Sequence, residues 1–329
     1  VKKFEKTSTN FYKNALERSR ILVTGGSGFI GSWLCETLVA HGAEVTCLDN
    51  LSSGKLENIK HLTNYENFRF VKADIAYFEP KGFDCIIHAA SLPSPEDYIR
   101  RPVEAMLPNS VGLLNCLEAC RKEDSRILYT STSEVYGDAE VIPTPEDYWG
   151  RVNPIGLRSC YDEAKRFGEA LCMAYFREYD LDVRVARIFN CYGPRIDVES
   201  KYARVIPRFI IQALRNKPIT IHGDGKQTRS FTYITDTIDG LIKMIVTEGV
   251  KGEVINIGSE DEISIIELAK LIIRLAASSS KIVFTQARPD DPRRRRPDIT
   301  KARKLLAWEP KIKLEDGLKY TIEWFKGRS

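Results

Sequence analysis

The 329-residue chain has no apolar run long enough to cross a bilayer, and its opening VKKFEKTSTNFYKNALERSR lacks the apolar core of a signal peptide. A cytoplasmic location with no membrane partner is the expectation. Histidine is scarce, at 4 residues, and the 8 cysteines form no C-x-x-C pair, so no metal site is expected. Cysteines 35, 47, 85, 116, 120, 160, 172 and 191 read as reduced, mostly buried small hydrophobes. Charge of one sign is not in excess: 49 Lys and Arg face 45 Asp and Glu, largely interleaved, which excludes a nucleic-acid partner. Internal repeats and low-complexity linkers are also missing. With 43% hydrophobic and 29% charged residues, the composition is that of a folded globular chain, long enough for two domains or one α/β body with a lobe.

What is present begins at Arg20. A short apolar run over residues 20–24 leads into Gly25-Gly-Ser-Gly-Phe-Ile-Gly31, and Ile30, Leu34 and Leu38 then recur at helical spacing. Strand, glycine turn and helix are the context a dinucleotide site requires, because the glycines let backbone N–H groups approach a pyrophosphate at a helix N-terminus. Gly25, Gly28, Phe29, Ile30 and Gly31 are the candidates. The next strand, over 44–48, ends at Asp49 and Asn50. An acid there accepts a ribose 2′-hydroxyl and repels a 2′-phosphate, favouring NAD, although Lys55 nearby would tolerate a phosphate. Strands over 68–72 and 84–88 end at Asp74-Ile75 and Ala89-Ala90, which a doubly wound sheet aims at the same crevice. Asp74 is a candidate for the adenine end. His88 reads as a packed core histidine, and residues 103–121 as one helix.

The centre of the chain is the stretch from Leu128 to Lys165. A strand over 126–129 gives way to Thr130, Ser131, Thr132 and Ser133, and a later helix carries Tyr161-x-x-x-Lys165. Four residues along a helix bring two side chains to one face. A phenol of ordinary pKa near 10 is a poor base at neutral pH unless a cation favours the phenolate, and Lys165 is such a cation. Thr132 can donate to the same oxygen. Beyond it a helix reaches about residue 179 and a strand spans 182–188. The pattern then changes, with a helix near 206–215, a strand at 219–222, a returning segment at 231–246, a strand at 254–257, a helix at 264–275 and a strand at 281–284. A proline-stiffened basic loop, Arg288-Pro-Asp-Asp-Pro-Arg-Arg-Arg-Arg-Pro-Asp298, is the one conspicuous charge cluster, and arginines held still suit phosphates and carboxylates.

From Arg20 onward the sequence resembles the extended short-chain dehydrogenase/reductase family, in its nucleotide-sugar branch. Ser131-Thr-Ser-Glu-Val-Tyr-Gly-Asp138, Glu146-Asp-Tyr-Trp-Gly150, Val152-Asn-Pro-Ile-Gly156 and Ser159-Cys-Tyr-Asp-Glu-Ala-Lys-Arg166 are most similar to the UDP-glucuronate decarboxylases of that branch. The resemblance implies an α/β fold, a Rossmann-like doubly wound parallel sheet with a smaller C-terminal α/β substrate lobe. The expected division is a polar extension over 1–19 with a short helix at 9–18, an NAD-binding domain over 20–189 to which 230–248 returns, and a nucleotide-sugar lobe of 190–229 and 249–329. It further implies NAD held by the residues named above together with Asn109, Tyr161 and Lys165.

The same resemblance implies the chemistry. Tyr161, Lys165 and Thr132 would oxidise the sugar at C4, and Ser133, Glu134 and Arg295 would attend the carboxylate and C5. Arg229, Arg288 and Arg204 would hold the diphosphate, and Asn190, Arg158 and Tyr98 the nucleotide sugar. Within the arginine run, Arg294 or Arg296 are alternatives to Arg295. Related 4,6-dehydratases carry an Asp where Ser133 stands, which argues against dehydration, and Glu134 argues against simple epimerisation. Ala164 departs from a common glycine. The expected partner besides the UDP-sugar is a second copy, on helices around 103–121 and 161–179. Remaining alternatives are a UDP-hexuronate 4-epimerase, a decarboxylase releasing the 4-keto pentose, and a non-catalytic NAD- or sugar-nucleotide-binding regulator.

Overall fold

A computed structural model describes residues 9–196, 204–287 and 293–328. Seven strands form one parallel sheet: β1 (Arg20–Thr24), β2 (Glu44–Asp49), β3 (Phe68–Lys72), β4 (Cys85–His88), β5 (Arg126–Thr132), β6 (Val183–Ile188) and a last strand, Val254–Ile257. Their order across the sheet is β3-β2-β1-β4-β5-β6 with Val254–Ile257 beside β6. The order reverses between β1 and β4, where Thr24 pairs with His88. Connections then leave on opposite faces, and a crevice opens beyond the strands' carboxyl ends.

Burial follows from pleating. Ile21 and Val23 of β1 join the apolar layer beneath the helices Phe29–Ala40 and Ile234–Val246, while Leu22 joins the layer beneath Leu113–Glu123 and Ser159–Tyr179. With helices on both faces, β5 and β6 are buried along nearly their whole length, including Thr130, Ser131 and Arg184. The smaller lobe contains the helices Val205–Leu214, Ile265–Leu275 and Leu314–Lys326, the parallel pair Ile219–His222 with Ile282–Thr285, and the antiparallel pair Thr228–Ser230 with Glu262–Ser264. Ser264 and Glu267 cap the middle helix reciprocally.

Two expectations need revision. Val254–Ile257, assigned to the lobe, pairs with β6 and so extends the main sheet, covering an apolar edge that would otherwise stand open. Residues 103–121 are helical as expected, Pro102–Met106 continuing through a π-helical turn at Pro108–Gly112 into Leu113–Glu123, with Leu107 and Gly112 both in helical conformation. That turn leaves the Pro108 carbonyl free to accept from His88 Nε2 at 2.9 Å. The helix at the start of the chain is Thr9–Leu16, ended by Arg18 at φ 62°, and it is docked: Leu16 is buried and the Tyr12 hydroxyl donates to Asp239 at 2.7 Å.

Candidate active site

One cleft, enclosing about 420 Å³, runs along the carboxyl ends of β1, β2, β4 and β5 and continues under the smaller lobe. At its sheet end the wall is backbone. Gly25 has φ +67°, and a Cβ there would lie 2.7–2.8 Å from Ala90 and the Ala89 carbonyl; one on Gly31 would lie 2.1 Å from the Gly25 oxygen. No other residue fits this close turn, which delivers the amides at the start of Phe29–Ala40 to the cleft. Asp49 accepts from the backbone N–H of Ser27 at 3.0 Å and of Leu51 at 2.8 Å, so its carboxylate is fixed at the cleft wall. Asn50 donates to Asp74 at 2.8 Å, and Asp74 accepts from the Ala76 amide at 2.9 Å. Phe29, Ile30, Ile75, Ala89 and Ala90 complete this end. A turn that admits no Cβ at Gly25 or Gly31, followed by a fixed acid, fits a dinucleotide.

The second part of the cleft is the acid–base group. Tyr161 is buried at the start of helix Ser159–Tyr179 and stacks on Tyr98, ring centroids 5.3 Å apart and 10° from parallel. Burial pushes its phenol up to about 12, against the lowering effects of the Arg204 charge and a hydrogen bond with Thr132. Lys165 is also buried. Its ammonium donates to the Thr130 carbonyl at 2.7 Å and lies 4.8 Å from the centre of the Tyr129 ring. Burial brings the Lys165 amine down to about 7. The Arg204 charge thus favours the phenolate, while the Lys165 ammonium is held against Thr130 and Tyr129.

The third part is a charge cluster. Glu134, two residues past the end of β5, is gripped by Arg295 through two bonds, that from Nη2 at 2.9 Å, and by Arg158 Nη2. Burial alone would raise the Glu134 carboxyl, but the two arginines overcome it and hold it at about 2. It is a carboxylate at any working pH. Asp162, next to Tyr161, places Oδ2 3.7 Å from Arg158 Nε, while its buried Oδ1 has no hydrogen-bond partner. Ser133 is buried beside Glu134 and lines the cleft.

Comparison with known proteins now bears on this geometry. Residues 21–258 match the model of the NAD dependent epimerase/dehydratase family. UDP-glucuronic acid decarboxylase 1 of Xenopus tropicalis is 44% identical over 313 residues, 94% of this chain and 73% of that one. The chain belongs to the NAD dependent epimerase/dehydratase family. Among solved structures, the epimerase Mth375 of Methanothermobacter thermautotrophicus superposes with a TM-score of 0.89 at 34% identity, covering 98% of this chain and 96% of that one. UDP-glucuronic acid 4-epimerase of Bacillus cereus, in complex with UDP-glucuronic acid and NAD, gives 0.87 at 31%, covering 94% and 100%. The fold and the NAD cofactor follow from this membership and from the fit of the glycine cradle.

The cleft brings together most of the residues that the sequence singled out. Thr132, Ser133, Glu134, Tyr161, Lys165, Tyr98, Arg158, Asn190, Arg204, Arg229 and Arg295 all line it. Asn190 donates to the Ser230 carbonyl at 3.1 Å, and Arg229 to the Thr228 carbonyl at 2.7 Å. Within the arginine run, Arg295 points in with its side chain 8% exposed, whereas Arg294 pairs with Glu262 at the surface and is 51% exposed. Arg288 lies outside the described residues. Asn109 is not at the cleft surface: it is fully buried and donates to Ser91 at 3.0 Å, bracing the wall from behind. His88 is a satisfied core residue, bonded to Thr24 and to Pro108. Sequence reasoning missed Asp162. Its only signal was an acid in the first turn of a helix, where acids are common for reasons of the helix dipole.

Proposed function

We propose that this chain converts UDP-glucuronate to UDP-xylose and CO2 through a 4-keto intermediate, with NAD recycled. The observation that carries the reading is the buried Glu134–Arg295–Arg158 group beside Tyr161 in a single cleft. Two guanidiniums there offer a hexuronate carboxylate the planar, charged donors it needs. The relatives named UDP-glucuronic acid decarboxylase, at 43–45% identity, support the same assignment.

NAD, when bound, supplies the hydride acceptor and a positive charge; Gly25, Gly28, Gly31 and Asp49 would hold it. Tyr161 takes the proton of the sugar 4-hydroxyl, and Thr132 donates to the same oxygen. Oxidation at C4 makes the C6 carboxylate β to a ketone. When the C5–carboxylate bond breaks, its electron pair passes into an enolate whose oxygen Tyr161 and Thr132 stabilise; C5 then takes up a proton from water, and Tyr161 returns its proton to the C4 oxygen as the hydride goes back to C4, giving the xylose. Arg295 and Arg158 orient the carboxylate before it leaves. Because Glu134 is ionised, its part is to fix those arginines and to order water near C5. Arg229 and Arg204, with Arg288, hold the diphosphate, and Asn190 and Tyr98 the sugar nucleotide.

The test is incubation with UDP-glucuronate and catalytic NAD+, followed by NMR of the sugar nucleotide and by CO2 release. UDP-xylose with CO2 and no net NADH is the expected outcome. The same run with Tyr161→Phe should be slower by on the order of a hundredfold or more while UDP binding is retained. UDP-galacturonate without CO2 would replace this reading with hexuronate 4-epimerisation, which the likeness to the Bacillus cereus epimerase makes the second reading. UDP-4-keto-pentose accumulating with NADH would make the chain a decarboxylase that releases its intermediate.

We also infer a homodimer and a cytoplasmic location. Val103, Met106 and Leu114, with Phe167 on helix Ser159–Tyr179, are exposed apolar residues on the helices expected at the interface. Sedimentation at twice the chain mass would bear this out, and a monomer would remove it. The eight free cysteines fit a reducing compartment, and among the described residues no helix is long and apolar enough to cross a membrane.

A further inference from the structure

Asp162 has no part in the chemistry above, yet it shares Arg158 with Glu134. Its side chain is 10% exposed, Oδ1 is sealed from solvent without a hydrogen-bond partner, and Oδ2 stands 3.7 Å from Arg158 Nε. An ionised carboxylate placed so poorly is costly, whereas a protonated one has less to lose. The groups that face it are Glu134 at the end of β5, Arg158 before its own helix, Glu163 beside it, Arg295 from the arginine loop, and the Tyr98 and Tyr161 phenols. Burial first, and then the Glu134 charge, raise the Asp162 carboxyl from its ordinary value to about 7, against the pull of Arg158 and Arg295.

The charge count explains what this arrangement can do. Arg158 and Arg295 balance Glu134 and an ionised Asp162. A hexuronate adds a third carboxylate to the same enclosed pocket, leaving it one negative charge in excess; a pentose adds none. We propose that Asp162 is a positioning residue for the substrate carboxylate, which binds with uptake of one proton by Asp162, so that Arg158 turns from Asp162 towards the substrate. This rests on the decarboxylase reading. Asp162 touches neither substrate nor cofactor in this role; it acts through Arg158.

The test is the pH dependence of KM for UDP-glucuronate, compared with the Kd of UDP-xylose, which has no carboxylate. In the wild type KM should be flat below about pH 6 and rise by about tenfold per pH unit above pH 8, while the Kd of UDP-xylose stays level. In Asp162→Asn, which is permanently neutral, the rise in KM should disappear. Independently, calorimetry in two buffers of different ionisation enthalpy, on the Tyr161→Phe protein at pH 8, should show close to one proton taken up with UDP-glucuronate and none with UDP-xylose. Equal uptake for the two nucleotides, or an unchanged KM slope in Asp162→Asn, overturns the proposal. Should Asp162→Asn fail to fold, the calorimetric comparison decides alone. Absence of CO2 from the wild type would instead overturn the functional reading, and CO2 release with a flat KM would overturn only the role of Asp162.

Discussion

The two ends of the cleft are built by opposite means. At the sheet end, seven consecutive residues, Gly25 to Gly31, shape a cradle largely from backbone, and the determinant is the absence of a side chain at Gly25 and Gly31. At the lobe end, Glu134, the Arg158–Asp162 turn and Arg295 arrive from three separate segments, and the determinant is the balance of buried charge. Arg295 and Glu134 are 161 positions apart in the chain. A site made of backbone recognises what all its ligands share, a pyrophosphate at a helix N-terminus. One made of balanced charges recognises what distinguishes them, here one carboxylate more or less.

The comparison predicts different responses to a single change, and the charged end should respond most. Replacing Glu134 with Leu leaves Arg158 and Arg295 facing each other in a buried pocket, and removal of one partner from such a group typically costs about 3–5 kcal/mol. The lower part of that range is expected, because Asp162 can ionise once the Glu134 charge that opposes it is gone. The pH dependence has a definite sign. Glu134 is depressed in the folded protein to about 2 from an ordinary 4.5, so its contribution is present above pH about 4.5 and lost as pH falls towards 2. Chemical denaturation of wild type and Glu134→Leu at pH 7 and at pH 3 measures this directly. The gap between the two proteins should narrow at the lower pH; a constant gap would mean that lost packing, and not charge, sets the cost.

The same contrast accounts for what could be read from the sequence. The glycine turn, Asp49 and the positions of the first strands were legible because each depends on neighbours in the chain: a strand must end, a glycine must follow, an acid must close the next strand. Tyr161 and Lys165 were legible as a pair for the same reason, four residues along one helix. The electrostatics around them were not, since Lys165 is anchored on the Thr130 carbonyl of β5 and the charge of Arg204 reaches Tyr161 from the other lobe. Asp162 was invisible because nothing in its own helix distinguishes it; only the meeting of β5, the Arg158 turn and the arginine loop makes it a third member of a charge pair. The π turn at Pro108–Gly112 was hidden by apolar spacing that continues through it, and Val254–Ile257 was assigned to the lobe because its partner β6 lies about seventy residues earlier.

At the backbone end the expected effect is smaller and confined to the cofactor. Gly31 lies in the first turn of helix Phe29–Ala40, and a methyl group there would stand 2.1 Å from the Gly25 oxygen and 2.7 Å from Gly26 Cα. Both obstacles are backbone, so the turn itself must move outward. Overpacking of this kind costs about 1–3 kcal/mol, which as a displaced cradle corresponds to roughly a ten- to hundredfold loss of NAD affinity in Gly31→Ala. The charge cluster beyond Tyr161 does not touch this turn, so UDP binding should be unaffected. Titration of NAD and of UDP into the variant separates the two. Parallel losses of both would show that the cleft is one mechanical unit; loss of NAD alone would show that its backbone-built and charge-built ends can be altered independently, as their separate origins in the chain suggest.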